Sequence, residues 1–278
     1  MNVPKIPIGE WVEGLESWLE TNFEPFFDFV KLVVGSVVNG LADGFNFLPP
    51  LVMIVLFTLL AFWIGRMKMG VFTLIGLLLV LNLGYWEHTM DTLALVLTAS
   101  FISIVLGVPI GILCAGNKKV QNVITPVLDF MQTMPAFVYL LPAVAFFSLG
   151  VVPGVVASVI FSIPPTIRLT NLGIRQVPED LVEAADAFGS TPMQKLIKVQ
   201  LPIAVPTIMA GINQTIMLSL SMVVIASMIG AQGVGADVYR AVTQAKTGVG
   251  TEAGLAVVVL AIMLDRMTQK LAKRKKKE

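Results

Sequence analysis

Between Asp43 and Arg66 the chain runs through residues 44–65 without a charge, and between Lys68 and Glu87 through 69–86. A third such run, 92–117, lies between Asp91 and Lys118. Each is close to the ~20 apolar residues that an α-helix needs to cross the hydrocarbon core of a bilayer. The uncharged run from Asp129 to Arg168 is too long for one helix. Gly150, Pro153 and Gly154 punctuate its middle, which predicts spans over 126–149 and 153–172. The run from Lys198 to Asp237 has no such break after Pro206 and predicts one span over 205–230, closed by Gly230, Gly233 and Gly235. A seventh span is expected over 249–268, with Glu252 and Asp265 at headgroup depth near its ends.

The residues before Asp43 follow another pattern. Trp11, Leu15, Trp18 and Leu19 share one helical face, while Glu13, Glu16 and Glu20 share the opposite one. This predicts an amphipathic helix lying in the interface, tryptophans at headgroup depth. A basic stretch followed by an apolar core is missing, so a secretory signal peptide is not expected.

Composition agrees with lipid as the solvent. Hydrophobic residues make up 56% of the 278 and charged residues 13%, against the roughly 25% charged residues of a soluble domain. A net charge of +1 removes a whole-chain case for nucleic-acid binding. The 19 basic residues sort by membrane side instead. Arg66, Lys68, Lys118, Lys119, Arg168, Arg175, Lys195, Lys198 and the tail from Arg266 to Lys277 fall in alternate segments, which the positive-inside rule makes cytoplasmic. Lys5, Lys31, Arg240 and Lys246 fall in the others, so the N-terminus is expected outside and the C-terminus inside. The basic run Lys273–Lys277 reads as an anchor beside anionic headgroups.

One cysteine, Cys114, and one histidine, His88, leave no internal disulfide and none of the common His- or Cys-built metal and catalytic sites. No Gly-Lys dipeptide occurs, so a Walker-type phosphate loop is excluded. The carboxylates sit at or near span ends, Asp129 included, rather than at the bilayer midplane where ion-coupled carriers place them. Work for transport against a gradient must then enter from a partner.

The segment 175–206 has the make-up of a docking surface. Pro178 suits a first helical position, and Glu179, Asp180 and Glu183 suit the positive end of a helix dipole. Gly189 can close that helix with a left-handed cap, and Thr191-Pro192-Met193-Gln194 spells a capping box for the next. Ala184, Ala185 and Ala187 leave a smooth surface from which Phe188 can project into another protein's groove.

Glu183-Ala184-Ala185, then Gly189, Val199 and Leu201-Pro202 at their spacings, resembles the EAA motif of the membrane subunits of binding-protein-dependent ABC importers, with valine where isoleucine is common. Residues 129–142 (DFMQTMPAFVYLLP), 164–178 (PPTIRLTNLGIRQVP) and 218–230 (LSLSMVVIASMIG) resemble the proline/glycine betaine branch. The likeness covers about residues 90–270. It implies an all-α membrane protein of about seven spans. Residues 1–45 would form the external amphipathic segment and 46–90 two peripheral helices. The five-helix permease core would take 91–270, with its coupling loop at 175–204, and the basic tail 271–278.

The resemblance further implies a bacterial inner-membrane permease without an ATPase site of its own. It would pair with a second copy of itself, two ATP-binding subunits that use ATP and Mg, and an extracytoplasmic betaine-binding protein. Glu183, Ala184, Ala185, Phe188, Gly189, Val199, Leu201 and Pro202 would couple to the ATPase. A neutral pathway could be lined by Gln132, Thr133 and Tyr139 on the fourth span and by Asn213, Gln214, Ser219 and Ser221 on the sixth. Asn213 and Gln214 could equally serve as hydrogen bonds between helices. Pro135, Pro142 and Pro164 can bend helices around a cavity. Choline, carnitine or proline remain alternative solutes, and an ion-coupled transporter or a membrane scaffold are the competing classes.

Overall fold

The computed structural model describes residues 7–274; Lys5 and Lys275–Lys277 lie outside them. The described chain is helical throughout, with no strand among its residues. Its elements are α1 (Ile8–Phe47), α2 (Pro50–Asn82), α3 (Trp86–Gly116), α4 (Lys118–Thr133), α5 (Leu140–Phe147), α6 (Val151–Arg175), α7 (Glu179–Ala187), α8 (Pro192–Lys195), α9 (Leu201–Ser227), α10 (Val234–Thr243) and α11 (Thr247–Arg274).

The centre of the bundle is α3, α6 and α9, held close by small residues. A Cβ on Gly111 of α3 would stand 2.5 Å from Cβ of Thr170, and one on Gly211 of α9 would stand 3.0 Å from the Pro165 carbonyl oxygen of α6. Buried hydroxyls join the same three helices. Ser162 Oγ lies 3.1 Å from Ser103 Oγ and accepts from Ser219 Oγ at 3.0 Å. Thr215 Oγ1 donates to the Ser162 carbonyl at 2.8 Å and sits 2.7 Å from Thr166 Oγ1. Unpaired, each hydroxyl would weaken the bundle; paired, they fix its register.

The structure divides α2 in two. Arg66 leaves the helical region, with φ 64° and ψ −166°. A Cβ on Gly70 would stand 3.2 Å from Cβ of Phe62. Eight residues of unbroken helix would hold those two about 12 Å apart. The chain therefore reverses at Arg66, making two arms, 50–65 and 67–82. The second packs on α11, with Gly76 against Val259, and the end of the first, at Gly65, lies near Lys270, so α11 runs antiparallel to the second arm.

By length and hydropathy α1 is one of six helices able to cross a membrane, but its contacts place it across one end of the bundle. Phe27 stacks on Phe146 with ring centroids 4.4 Å apart, and Gly35 lies against Val152. Asn39, Ala42 and Asp43 share a recess with Asp91, Val151 and Gln232. These partners are the last turn of α5, the first two turns of α3, the first turn of α6, and the turn after α9. Residues 27–43 advance about 24 Å, so a crossing helix would have travelled from one end of its neighbours to the other. With α1 set aside and α2 taken as two arms, the candidate passes are those two arms, then α3, the α4–α5 pair, α6, α9 and α11, seven in all beside α1.

Two spans depart from their expected form. The fourth is not a straight helix over 126–149. Asn117 starts α4 earlier, its Oδ1 accepting from the backbone N–H groups of Lys119 and Val120. The pair α4 and 136–147 is then bent by 109°. Pro135 has no N–H and pushes its predecessor out of the helical region; Met134 is accordingly extended, with ψ 137°. The sixth span begins well before 205, because α8, a π-turn over Leu196–Gln200 and α9 run on without interruption. Pro202 supplies no N–H and crowds the carbonyl four residues back, and the wider turn accommodates it.

Candidate functional site

At the end of the bundle opposite α1, the chain leaves α6 and builds a helical corner. Pro178 stands as the N-cap, one residue before the first-turn place expected for it, and Glu179 and Asp180 form the first turn of α7. Gly189 closes the helix at φ +74°, a conformation costly for residues with a Cβ. Its N–H bonds the Asp186 carbonyl at 2.9 Å, and the Ser190 N–H bonds that of Ala185 at 3.0 Å, the paired bonds of a Schellman cap. The capping box is complete: Gln194 N–H donates to Thr191 Oγ1 at 3.3 Å, and Thr191 N–H donates to Gln194 Oε1 at 2.9 Å. Lys195 Nζ, 2.8 Å from both carboxylate oxygens of Asp186, clips α8 to α7. Sequence spacing did not single out this clip.

The corner is rigid within itself and open toward the outside. Ala185 is buried, whereas Glu183, Ala184 and Gly189 are exposed. Phe188 is 90% exposed, and Leu181, Met193 and Ile197 add further exposed apolar area. Val199 and Leu201 are half-buried and Pro202 is exposed, where the π-turn joins α9. Behind α7 lies a recess of about 470 Å³ lined by Ala115, Ile174, Arg175, Glu179, Glu183 and Gln200 among others. The arrangement presents an apolar knob on a charged, capped corner at one end of a membrane bundle.

The expected pathway residues divide. Asn213 faces α11: its Nδ2 donates to Asp265 Oδ1 at 2.9 Å, and its Oδ1 accepts from Thr268 Oγ1 at 2.5 Å. Asp265, expected among the headgroups, is thus held within the bundle, where it also accepts from Gln269 at 2.7 Å. Ser219 is fully buried in the hydroxyl cluster, and Tyr139 is buried with its hydroxyl donating to the Met131 carbonyl. These three are turned inward because a polar group between helices in lipid takes a partner on the next helix. Gln132, Thr133, Gln214 and Ser221 are exposed. Gln214 and Ser221 share one stripe of α9 with exposed Ala210 and Met228. The bend at 136–139 abuts the same helix through Tyr139 and Met222.

Other ionic groups are paired in ways that spacing did not reveal. Asp129 is not a lone interfacial acid, since Arg168 of α6 donates to it at 2.5 Å. Arg175 donates to Gln121 of α4. The visible signal was a basic residue, Arg168, inside the span expected over 153–172. At the far end, His88 pairs with the buried Asp237, and the Val234 N–H donates to Thr92 Oγ1 at 2.9 Å, tying α10 to α3.

Residues 107–277 match the family described as "Binding-protein-dependent transport system inner membrane component". The chain is 57% identical to the glycine betaine transport system permease protein OpuAB of Bacillus subtilis over 99% of this chain and 97% of that one. It is 56% identical to the glycine betaine/carnitine transport permease protein GbuB of Listeria monocytogenes, over 100% and 99% of the two chains. Among solved structures, an inward-facing MetNI methionine ABC transporter matches with a TM-score of 0.64 and 21% identity, over 69% of this chain and 95% of that one. That likeness speaks for the fold.

Proposed function

The chain belongs to the binding-protein-dependent transport system inner membrane component family, and from that premise we propose that it is the pathway-forming, non-hydrolytic subunit of an ATP-driven importer of glycine betaine and related betaines. The substrate class rests on the names of relatives identical at more than half of their positions across nearly full length. The observation that carries the coupling role is the capped corner with Phe188 standing 90% exposed, a poor surface feature for a subunit with nothing to cover it.

In this reading the chain works with a second copy, two ATPase subunits that hold ATP and Mg, and an extracytoplasmic receptor. The corner end faces the cytoplasm, since Arg66, Lys118, Lys119, Arg175, Lys195 and Lys198 gather there; α1 lies outside. Closure of the ATPases pushes α7, and the corner passes that movement through the π-turn into α9. Because α3, α6 and α9 are locked by close backbone approach and shared hydroxyls, they swing together against the bent fourth span. The exposed Gln132, Thr133, Gln214 and Ser221 then line the pathway between the two copies. A neutral lining suits a zwitterion that must be released as readily as it is received.

The test is reconstitution of the permease with its ATPase and receptor in proteoliposomes. ATP-dependent uptake of glycine betaine is expected, insensitive to collapse of the proton and sodium gradients. Uptake that survives ATP removal but fails with a gradient collapsed would make it a secondary transporter. Preference for choline, carnitine or proline would revise the solute.

A further inference from the structure

We infer that the outer face carries a receiving site for the betaine zwitterion, in the recess between the end of α9 and α10, with Arg240 taking the carboxylate and Tyr239 the methylated ammonium. The inference rests on the proposed function and locates one step of it.

The recess has a volume of about 260 Å³ and is lined by Ser227, Gly230, Gln232, Tyr239, Arg240 and Thr243 among others. It lies at the far end from the coupling corner, where solute enters. Ser227 is six residues past Ser221 on α9, so the recess sits at the outer end of the helix that carries the exposed stripe. A betaine has no net charge but a large dipole, and a site recognises it by offering opposite charge at its two ends. Arg240 supplies the positive end. Its Nη1 stands 3.6 Å from Oδ1 of the buried Asp237, while the other carboxylate oxygen holds His88. That loose contact orients the guanidinium without occupying its fork, leaving donors for a carboxylate.

Three features favour the ammonium at the other end. Tyr239 offers an aromatic face. The last turn of α9 presents the negative end of a helix dipole. Gln232 also lines the neighbouring recess that contains Asp43 and Asp91, so the acidic side of the outer face begins one side chain away. A single aromatic ring, with no cage, makes the hold weak, as a site between receptor and pathway requires.

The test uses the complete transporter in proteoliposomes with saturating betaine-loaded receptor. Betaine taken up per ATP hydrolysed is measured together with the receptor concentration that half-maximally stimulates ATPase activity. Arg240→Gln is expected to lower uptake per ATP about tenfold and Tyr239→Leu about threefold, with the half-maximal receptor concentration unchanged. Arg240→Lys should recover part of the loss, and Lys246→Gln, which removes another cation from the same end, should alter neither quantity. Unchanged uptake per ATP in Arg240→Gln overturns the site. A rise in the half-maximal receptor concentration with uptake per ATP preserved also overturns it, making Arg240 a receptor contact. If the unsubstituted transporter takes up no betaine, the proposed function itself fails and this site falls with it.

Discussion

Replacing Phe188 with alanine separates what the coupling corner does for the chain from what it does for a partner. The side chain is 90% exposed, so about a tenth of its burial is realised within the subunit. Full burial of a phenylalanine is worth up to ~3 kcal/mol, which leaves a loss of ~0.3 kcal/mol inside the permease. The other nine-tenths, ~2.7 kcal/mol, becomes available only when a cleft covers the ring. That corresponds to roughly 80-fold in affinity per site. Thermal unfolding of purified Phe188→Ala permease should therefore match that of the unsubstituted protein, while the ATPase subunit, titrated onto nanodisc-held permease, should bind far more weakly. A lowered melting temperature with affinity within threefold of normal would refute the reasoning, because Phe188 would then be packing against its own chain.

Three further substitutions probe other parts of the fold. Gly189→Val sets a β-branched residue at φ +74°, at a cost above the ~1–2 kcal/mol for an ordinary side chain; nothing stands within 4 Å of a Cβ there. ATP hydrolysis should uncouple from uptake while the membrane bundle melts normally, as a reconstituted assay would register. Asn213→Leu removes the bonds to Asp265 and Thr268 and should lower stability by ~1–2 kcal/mol without altering solute preference; altered preference at full stability would return Asn213 to the pathway. Gly111→Ala drives a Cβ to 2.5 Å from Thr170 and should destabilise by ~2 kcal/mol or more. Gly116→Ala, with nothing within 4 Å, should be neutral, and paired thermal melts compare the two.

Charge spacing made most of the topology legible, because lipid punishes a misplaced charge more severely than water punishes a misplaced leucine. The reversal at Arg66 and the capped corner at Gly189 were visible for that reason and for the chemistry of turns. Less legible was everything decided by which way a span faces. Asn213, Ser219 and Tyr139 carry the same polar signature as Gln214 and Ser221, and only the position of the neighbouring helix separates a bonded side chain from an exposed one. The 109° bend was foreshadowed by Pro135, but Pro142 and Pro164 lie within helices whose backbone stays regular. A proline permits a bend; packing decides whether one occurs.

The π-turn over Leu196–Gln200 amounts to one residue more than an α-helix would use over the same rise. In an α-helix each residue advances the azimuth by about 100°. That surplus residue therefore sets the compass bearing of the exposed Phe188 relative to the stripe bearing Gln214 and Ser221. Deleting one residue there would leave composition, motif and membrane span almost untouched, yet would turn Phe188 by about a quarter of a circle about the axis of α9. In the proposed coupling, the direction of thrust, as distinct from its strength, is set by that single wide turn.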